Sequence, residues 1–438
     1  MPEGISMVVP VEPTPRSRRC SGQRARARAV LMTAALLCGP PAALADVVLD
    51  WNLTMFATTG GQNPFVTARY AAITHLAMFE AVNAVEGEYR PYIGIEAASD
   101  ASAEAAAAAA AHAVLRAYFP ARAVALDAAL AASLASIPDG PSEDSGVAAG
   151  RAAATAMLAL RANDGSAVPQ PYVPTSNDPG RWQLTAVCPP SGGGLQHWGN
   201  VTPFGIPAAR QFRPGPPPPL TSGPYRDSYD EVKAVGGINS VLRTPDRTDV
   251  ARLYATFSPV AWANSAARQI IALRGGSTAQ NARAFALLNM AISDAAVVGF
   301  EAKYYYELWR PETAIRAAAT DGNKKTEPDV DFTPLIAAPC FPSYPSNHAI
   351  LSNAGRAVLE HLFGADGHDL TISSPAVPGV MLHYTSLSDI TDDIDDARVF
   401  GGIHFRFDQE VGGRQGEHIG DYVYNHHLRP VHPGVQGP

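Results

Sequence analysis

The sequence predicts an all-α chain. Apolar residues recur at helical spacing through most of it, long alanine-rich stretches favour helix, and no convincing alternation of apolar and polar residues marks a strand. With 438 residues, 46% hydrophobic and 17% charged, the chain has enough apolar material for a large core. It has too little charge for a disordered tail or a coiled-coil rod.

In chain order, residues 1–45 read as a signal peptide. Arg16, Arg18, Arg19, Arg24, Arg26 and Arg28 precede an apolar run at 29–38, and Ala43-Leu44-Ala45 supplies a small-x-small cleavage pattern before Asp46. The run is too short to span a bilayer, and no later stretch is apolar without interruption for about 18 residues. The expectation is an exported protein, periplasmic or secreted, with no membrane span. Residues 1–45 carry a net +4 and the whole chain −8, so the remainder carries −12. A body that acidic lacks the basic footprint of a nucleic-acid binder. Cleavage leaves Cys188 and Cys340, which form either one bridge or two buried thiols.

Residues 46–164 form the expected N-terminal helical region, with helices at 65–85, at 102–137 interrupted by Pro120, and at 142–163. The alanine-rich stretches suit a close-packed helix pair. Residues 165–245 read as a Pro/Gly-rich loop wrapped over the helical body. Its first 60 residues hold 14 of the 38 prolines, yet Trp182, Trp198, Phe204 and Phe212 are too many aromatics for a free linker. Residues 246–438 form a C-terminal helical region, with patterns at 246–274, 278–309, 347–363 and 392–427.

Three segments of this last region carry the chemistry. In Lys303-Tyr-Tyr-Tyr-Glu-Leu-Trp-Arg310-Pro311 the two cations lie two helical turns apart, so both are expected on one face, with Pro311 stopping the helix. In Phe341-Pro-Ser-Tyr-Pro-Ser346-Asn347-His348, Ser346 is an N-cap at a helix start whose free N–H groups suit an anion. His348 stands there to move a proton. In Arg398-x5-His404-x3-Asp408, i to i+4 spacing lets the carboxylate hold one imidazole nitrogen and leave the other basic. Three cations, a hydroxyl, a helix N-terminus and two histidines suit a tetrahedral oxyanion.

The blocks Lys-x6-Arg-Pro, Pro-Ser-x-His and Arg-x5-His-x3-Asp, in this order, resemble the signature of the type 2 phosphatidic acid phosphatase and vanadium-dependent haloperoxidase superfamily. Residues 71–83, 198–204 and Arg243-Thr244-Pro245 extend the resemblance toward exported bacterial haloperoxidase-like members. The resemblance implies a helical bundle of the vanadium haloperoxidase kind. It also implies that Lys303, Arg310 and Arg398 neutralise the oxygens of vanadate or phosphate, helped by Ser346 and the backbone N–H of Asn347. His348 becomes the acid–base residue. His404 becomes the vanadium ligand or the nucleophile toward phosphorus, oriented by Asp408. The family pattern is usually Pro-Ser-Gly-His; here Asn347 replaces the glycine. Asn tolerates positive φ, which preserves the backbone donor, but its side chain stands where peroxide or halide would approach.

Phe341 resembles the residue lining the halide side of haloperoxidase sites, and His404-Phe-Arg-Phe-Asp408 resembles their block, whereas Phe300 falls where they often carry Trp. The expected activity is oxidation of halide by hydrogen peroxide with a vanadate cofactor, yielding hypohalous acid or a halogenated organic acceptor. An acid phosphatase acting through phosphohistidine and a silent phosphate- or vanadate-binding protein are the alternatives. The acidic run Asp392, Asp393, Asp395 and Asp396 is expected to favour a helix N-terminus.

Overall fold

The computed structural model describes residues 46–432; the expected signal peptide lies outside the described residues. Within them, α1 (Val47–Thr58), α2 (Pro64–Glu86), α3 (Ala103–Tyr118), α4 (Ala123–Leu134) and α5 (Pro141–Arg161) form the N-terminal half. After a long irregular stretch come α6 (Gly223–Gly236), α7 (Pro245–Thr256), α8 (Pro259–Arg274), α9 (Thr278–Tyr306) and the short α10 (Pro311–Arg316). The chain ends with α11 (Asn347–Phe363), the hairpin β1 (Asp366–Ser373) and β2 (Met381–Ser386), α12 (Leu387–Phe400) and α13 (Arg406–His426). The fold is helical, as expected.

α9 is the axis of the core. A capping box of Ser277 and Gln280 starts it, and its residues are buried almost all round, against α2, α8, α11 and α13. It is long and apolar enough to cross a bilayer, but 94% of that stretch is buried inside the protein. Two stripes of small residues set the close helix packing. Gly146 and Gly150 of α5 lie against the alanines of α3, so the expected helix pair forms. Gly412, Gly416 and Gly420 of α13 lie against Ser346, Ala349, Ile350, Ala354 and Ala357 at the start and along one side of α11. A β-carbon at any of these three would press into backbone or a neighbouring Cβ, so the stripe sets how near the two helices come.

Several expectations need correction. The pattern at 246–274 is two helices, because Pro259 removes a donor and restarts the chain as the first residue of α8, capped by Ser258. The pattern at 392–427 is also two, parted by residues 401–405. The acidic run therefore falls inside α12, not at its start, and is matched by ion pairs: Asp393 and Asp396 with Arg247, and Asp396 with Arg406. The hairpin was not anticipated. Only Leu370 and Ile372 give β1 an apolar alternation, too short to stand out, and Gln269 of α8 completes the pairing of Thr371 through both its N–H and its carbonyl.

Residues 165–222 do lie across the helices. Asp294, at the middle of α9, accepts the N–H groups of Phe204, Gly205 and Ile206. Trp182 N–H donates to the Glu307 carbonyl and Trp309 N–H to that of Gly180. Cys188 and Cys340 form a disulfide, which closes the alternative of two thiols. The expected loop to 245 instead includes α6, whose Tyr225, Tyr229 and Val232 build a second, smaller core with Trp309, Tyr344, Phe405 and Phe407.

A buried oxyanion-type site at the starts of α11 and α13

The residues singled out at 303–310, 341–348 and 398–408 meet where the second core adjoins the main one. Lys303 sits on the last turn of α9, which ends at Glu307 in a left-handed conformation (φ 53°). Arg310 therefore does not share its helix face, and Pro311 begins α10 rather than stopping α9. The turn back after Glu307 brings the two cations together instead, both fully buried.

Lys303 Nζ donates to the carbonyls of Pro342, Ser343 and Pro345 at 3.0, 2.7 and 2.6 Å. Pro342 and Pro345 keep this segment out of regular pairing, so its carbonyls are open to a side-chain donor. An ammonium has three N–H groups, and all three are used. Burial first, then Arg310, pulls the Lys303 pKa well below the usual lysine value, with Asp408 opposing; the three carbonyls favour the charged form. Lys303 thus holds the 342–345 segment and contributes charge to the site, while its donors are already taken.

Arg310 reaches across to the other segments. Its Nε donates to the Phe341 carbonyl at 2.9 Å, and Nη1 to the Ile403 carbonyl and to His404 Nε2, each at 2.9 Å. Its Nη2 is buried without a partner. Arg398, in the last turn of α12, donates from Nη1 to the Tyr254 carbonyl at 3.2 Å, and its Nε is likewise buried and unpartnered. Burial brings Arg310 down to about 9 and Arg398 to about 10, so both keep their charge at neutral pH.

His404 precedes α13 rather than standing on it, and Asp408 lies in the helix's first turn. The expected pairing nevertheless forms: His404 Nδ1 donates to Asp408 Oδ2 at 2.8 Å. The same oxygen accepts from Ser343 Oγ at 2.5 Å and from the Phe405 N–H at 3.2 Å. Burial pushes Asp408 up to about 6, against the pull of Ser343, Lys303 and Arg310. A carboxylate only accepts, so Nδ1 carries the imidazole proton and Nε2 offers its lone pair to the cationic side.

Ser346 caps α11, its Oγ accepting from the Ala349 N–H at 3.4 Å, and its own N–H donates to the Asp408 carbonyl at 3.0 Å. That bond joins the starts of α11 and α13. Asn347 is the first residue of α11 and is not among the residues with positive φ. The positive φ expected of it is not needed, because helical geometry already directs its N–H out of the helix start. His348 follows, partly accessible. Burial, then Arg398, Lys303 and Arg310, hold its pKa well below the usual histidine value; burial and the same three cations act on His404. Both imidazoles thus feel one electrostatic site.

Phe341 lies 5.3 Å from Lys303 Nζ and 5.1 Å from Arg310 Cζ, measured to its ring centre. It meets Phe300 and Phe65 edge-on, at 5.3 and 6.2 Å. Ser343, Phe65 and the Tyr254 carbonyl were missed by the sequence reading. Ser343 lies within a motif already singled out, but nothing in the sequence links Phe65 or Tyr254 to it.

The unpartnered N–H groups of Arg310 and Arg398, with a capped helix start and one imidazole lone pair, fit an oxyanion. Among the described residues no group of three His, Cys, Asp or Glu could hold a bare cation. The model of the second helical-bundle domain of the VCPO family matches residues 283–433, which contain all of these residues except Phe65 and Tyr254. This matched region is similar to the vanadium haloperoxidases. Among them, the vanadium chloroperoxidase of Curvularia inaequalis is 26% identical over 256 residues, or 42% of this chain; the match spans 40% of that relative's length. The haloperoxidase fold extends further than this sequence match. The structure of the first bacterial vanadium-dependent iodoperoxidase is similar with a TM-score of 0.75 and 24% identity, over 89% of this chain and 97% of that one. A holo-type bacterial vanadium-dependent chloroperoxidase follows at 0.67 and 19%, over 84% and 93%.

Proposed function

We propose that this chain is a vanadate-dependent haloperoxidase that oxidises halide with hydrogen peroxide. The observation that carries the reading is His404, whose Nδ1–H is fixed by Asp408 while Nε2 faces three buried cations. Relatives named as vanadium chloroperoxidase and iodoperoxidase support the same chemistry. Vanadate bound there supplies the Lewis acidity that activates peroxide. His404 Nε2 would be the nitrogen that holds it, once Arg310 Nη1 gives up its hydrogen bond there. Arg310, Arg398, the Ser346 hydroxyl and the Asn347 N–H hold the oxygens. His348, neutral and partly accessible, takes and returns the proton. Phe341, with Phe300 and Phe65, keeps water from the side where the halide or organic acceptor enters.

The test is an assay of purified protein with and without vanadate, for peroxide-dependent bromination and for phosphomonoester hydrolysis. Vanadate-dependent bromination that disappears in His404→Ala, together with tight vanadate binding, is expected. Hydrolysis without bromination would instead make the protein an acid phosphatase, and neither activity a silent binder. We also propose export to the periplasm or medium, supported by the arginine-rich, apolar start of the sequence and by the Cys188–Cys340 disulfide, which suits an oxidising compartment. Cell fractionation that leaves the protein in the cytoplasm would refute this.

A further inference from the structure

Asn347 has a side chain with no partner in the protein. The residue is 2% exposed, and both Oδ1 and Nδ2 are buried without a hydrogen bond. A buried amide left in that condition costs folding free energy, because its water hydrogen bonds are lost and not replaced. The neighbouring helix makes room for it: a β-carbon at Gly299 of α9 would overlap Asn347 Oδ1. Gly299 lies one turn before Lys303, on the same face of α9, so the amide lies on the wall from which Lys303 extends. Oδ1 and Cγ are the Asn347 atoms nearest the notch left by Gly299. Ser346 precedes the residue and His348 follows it. Arg310 Nη2 and Arg398 Nε are buried and unpartnered as well. These N–H donors lack acceptors within the protein, and the oxygens of an anion would supply them.

We propose that the Asn347 side-chain amide is itself an oxyanion donor, its Nδ2–H binding an oxygen of the tetrahedral anion while the Gly299 notch seats Oδ1. The inference rests on the oxyanion reading of the site and adds a neutral donor to the charged ones. It also gives the asparagine a binding role in place of the steric one expected from the sequence.

Calorimetric titration with inorganic phosphate and with vanadate, together with thermal unfolding, tests it on the full chain. Asn347→Leu keeps the shape and removes the polarity. It should melt at the same or a higher temperature, because two unpartnered buried atoms are gone, and bind both anions roughly 3- to 10-fold more weakly. Gly299→Ala should weaken binding in the same direction by displacing the amide. In an Asn347→Gly background the alanine should cost no affinity, which isolates the pair. If Asn347→Leu binds both anions as tightly as the wild type, the amide only fills space and the inference fails while the oxyanion reading stands. If the wild type binds neither anion, both fail.

Discussion

The two histidines of the site are kept neutral by their surroundings, and that has a measurable consequence. His348 is depressed first by burial and then by Arg398, Lys303 and Arg310; His404 by burial and the same cations. An anion placed among those cations offsets their repulsion and raises both values. Binding near pH 6 should therefore take up protons. Sulfate carries no titrating proton in this range and isolates the effect: its binding enthalpy should vary with the ionisation enthalpy of the buffer, in the sense of proton uptake. A buffer-independent enthalpy would mean that the imidazoles do not sense the anion. The same shifts act on stability. Because the folded values lie below the ordinary 6.5, the unfolded chain binds protons first as pH falls through 6.5. Stability contributed by these groups is present above that pH and declines below it.

At the scale of elements, the approach of α13 to α11 places Asp408 under Ser346. Gly416 lies where a side chain would meet the Ile350 carbonyl and the Ala354 N–H, whereas the worst contact at Gly413 is the Asn353 amide at 3.3 Å. Gly416→Ala should force the helices apart and cost about 1–3 kcal/mol of stability, with a parallel loss of anion affinity. Gly413→Ala should change both far less. Denaturant unfolding and phosphate titration of the two variants would separate these outcomes; equal effects would remove the stripe from the account of how the site is positioned.

For the whole molecule, the disulfide joins the wrapping loop to the residue just before Phe341, across 152 residues. Closing so long a loop restricts the unfolded chain, worth up to about 5 kcal/mol in the loop-entropy limit. Cys188→Ser with Cys340→Ser should lower the melting temperature. It should also weaken phosphate binding, because the Phe341 carbonyl and the 342–345 carbonyls hold Arg310 and Lys303. A double variant with unchanged melting temperature and affinity would show that the loop is held by its other contacts alone. Those are numerous, from Asp294 beneath residues 204–206 to the hydrogen bonds of Trp182 and Trp309.

The sequence by itself determined the helical class and the residues of the site. Helical periodicity and alanine content are local properties, and the cations, histidines and cap of 303–310, 346–348 and 398–408 are unusual enough in type and spacing to be read without coordinates. Local spacing misled where the chain bends. Lys303 and Arg310 were expected on one helix face and meet across a left-handed turn; His404 and Asp408 were expected on one helix and pair across its start. Only the tertiary structure decided what each donor holds. Whether Lys303 binds anion or backbone, whether Ser343 supports Asp408, and whether the Asn347 amide has room beside Gly299 depend on atoms tens to hundreds of residues away. No periodicity records those contacts, because burial and hydrogen-bond geometry arise only when separate segments pack together.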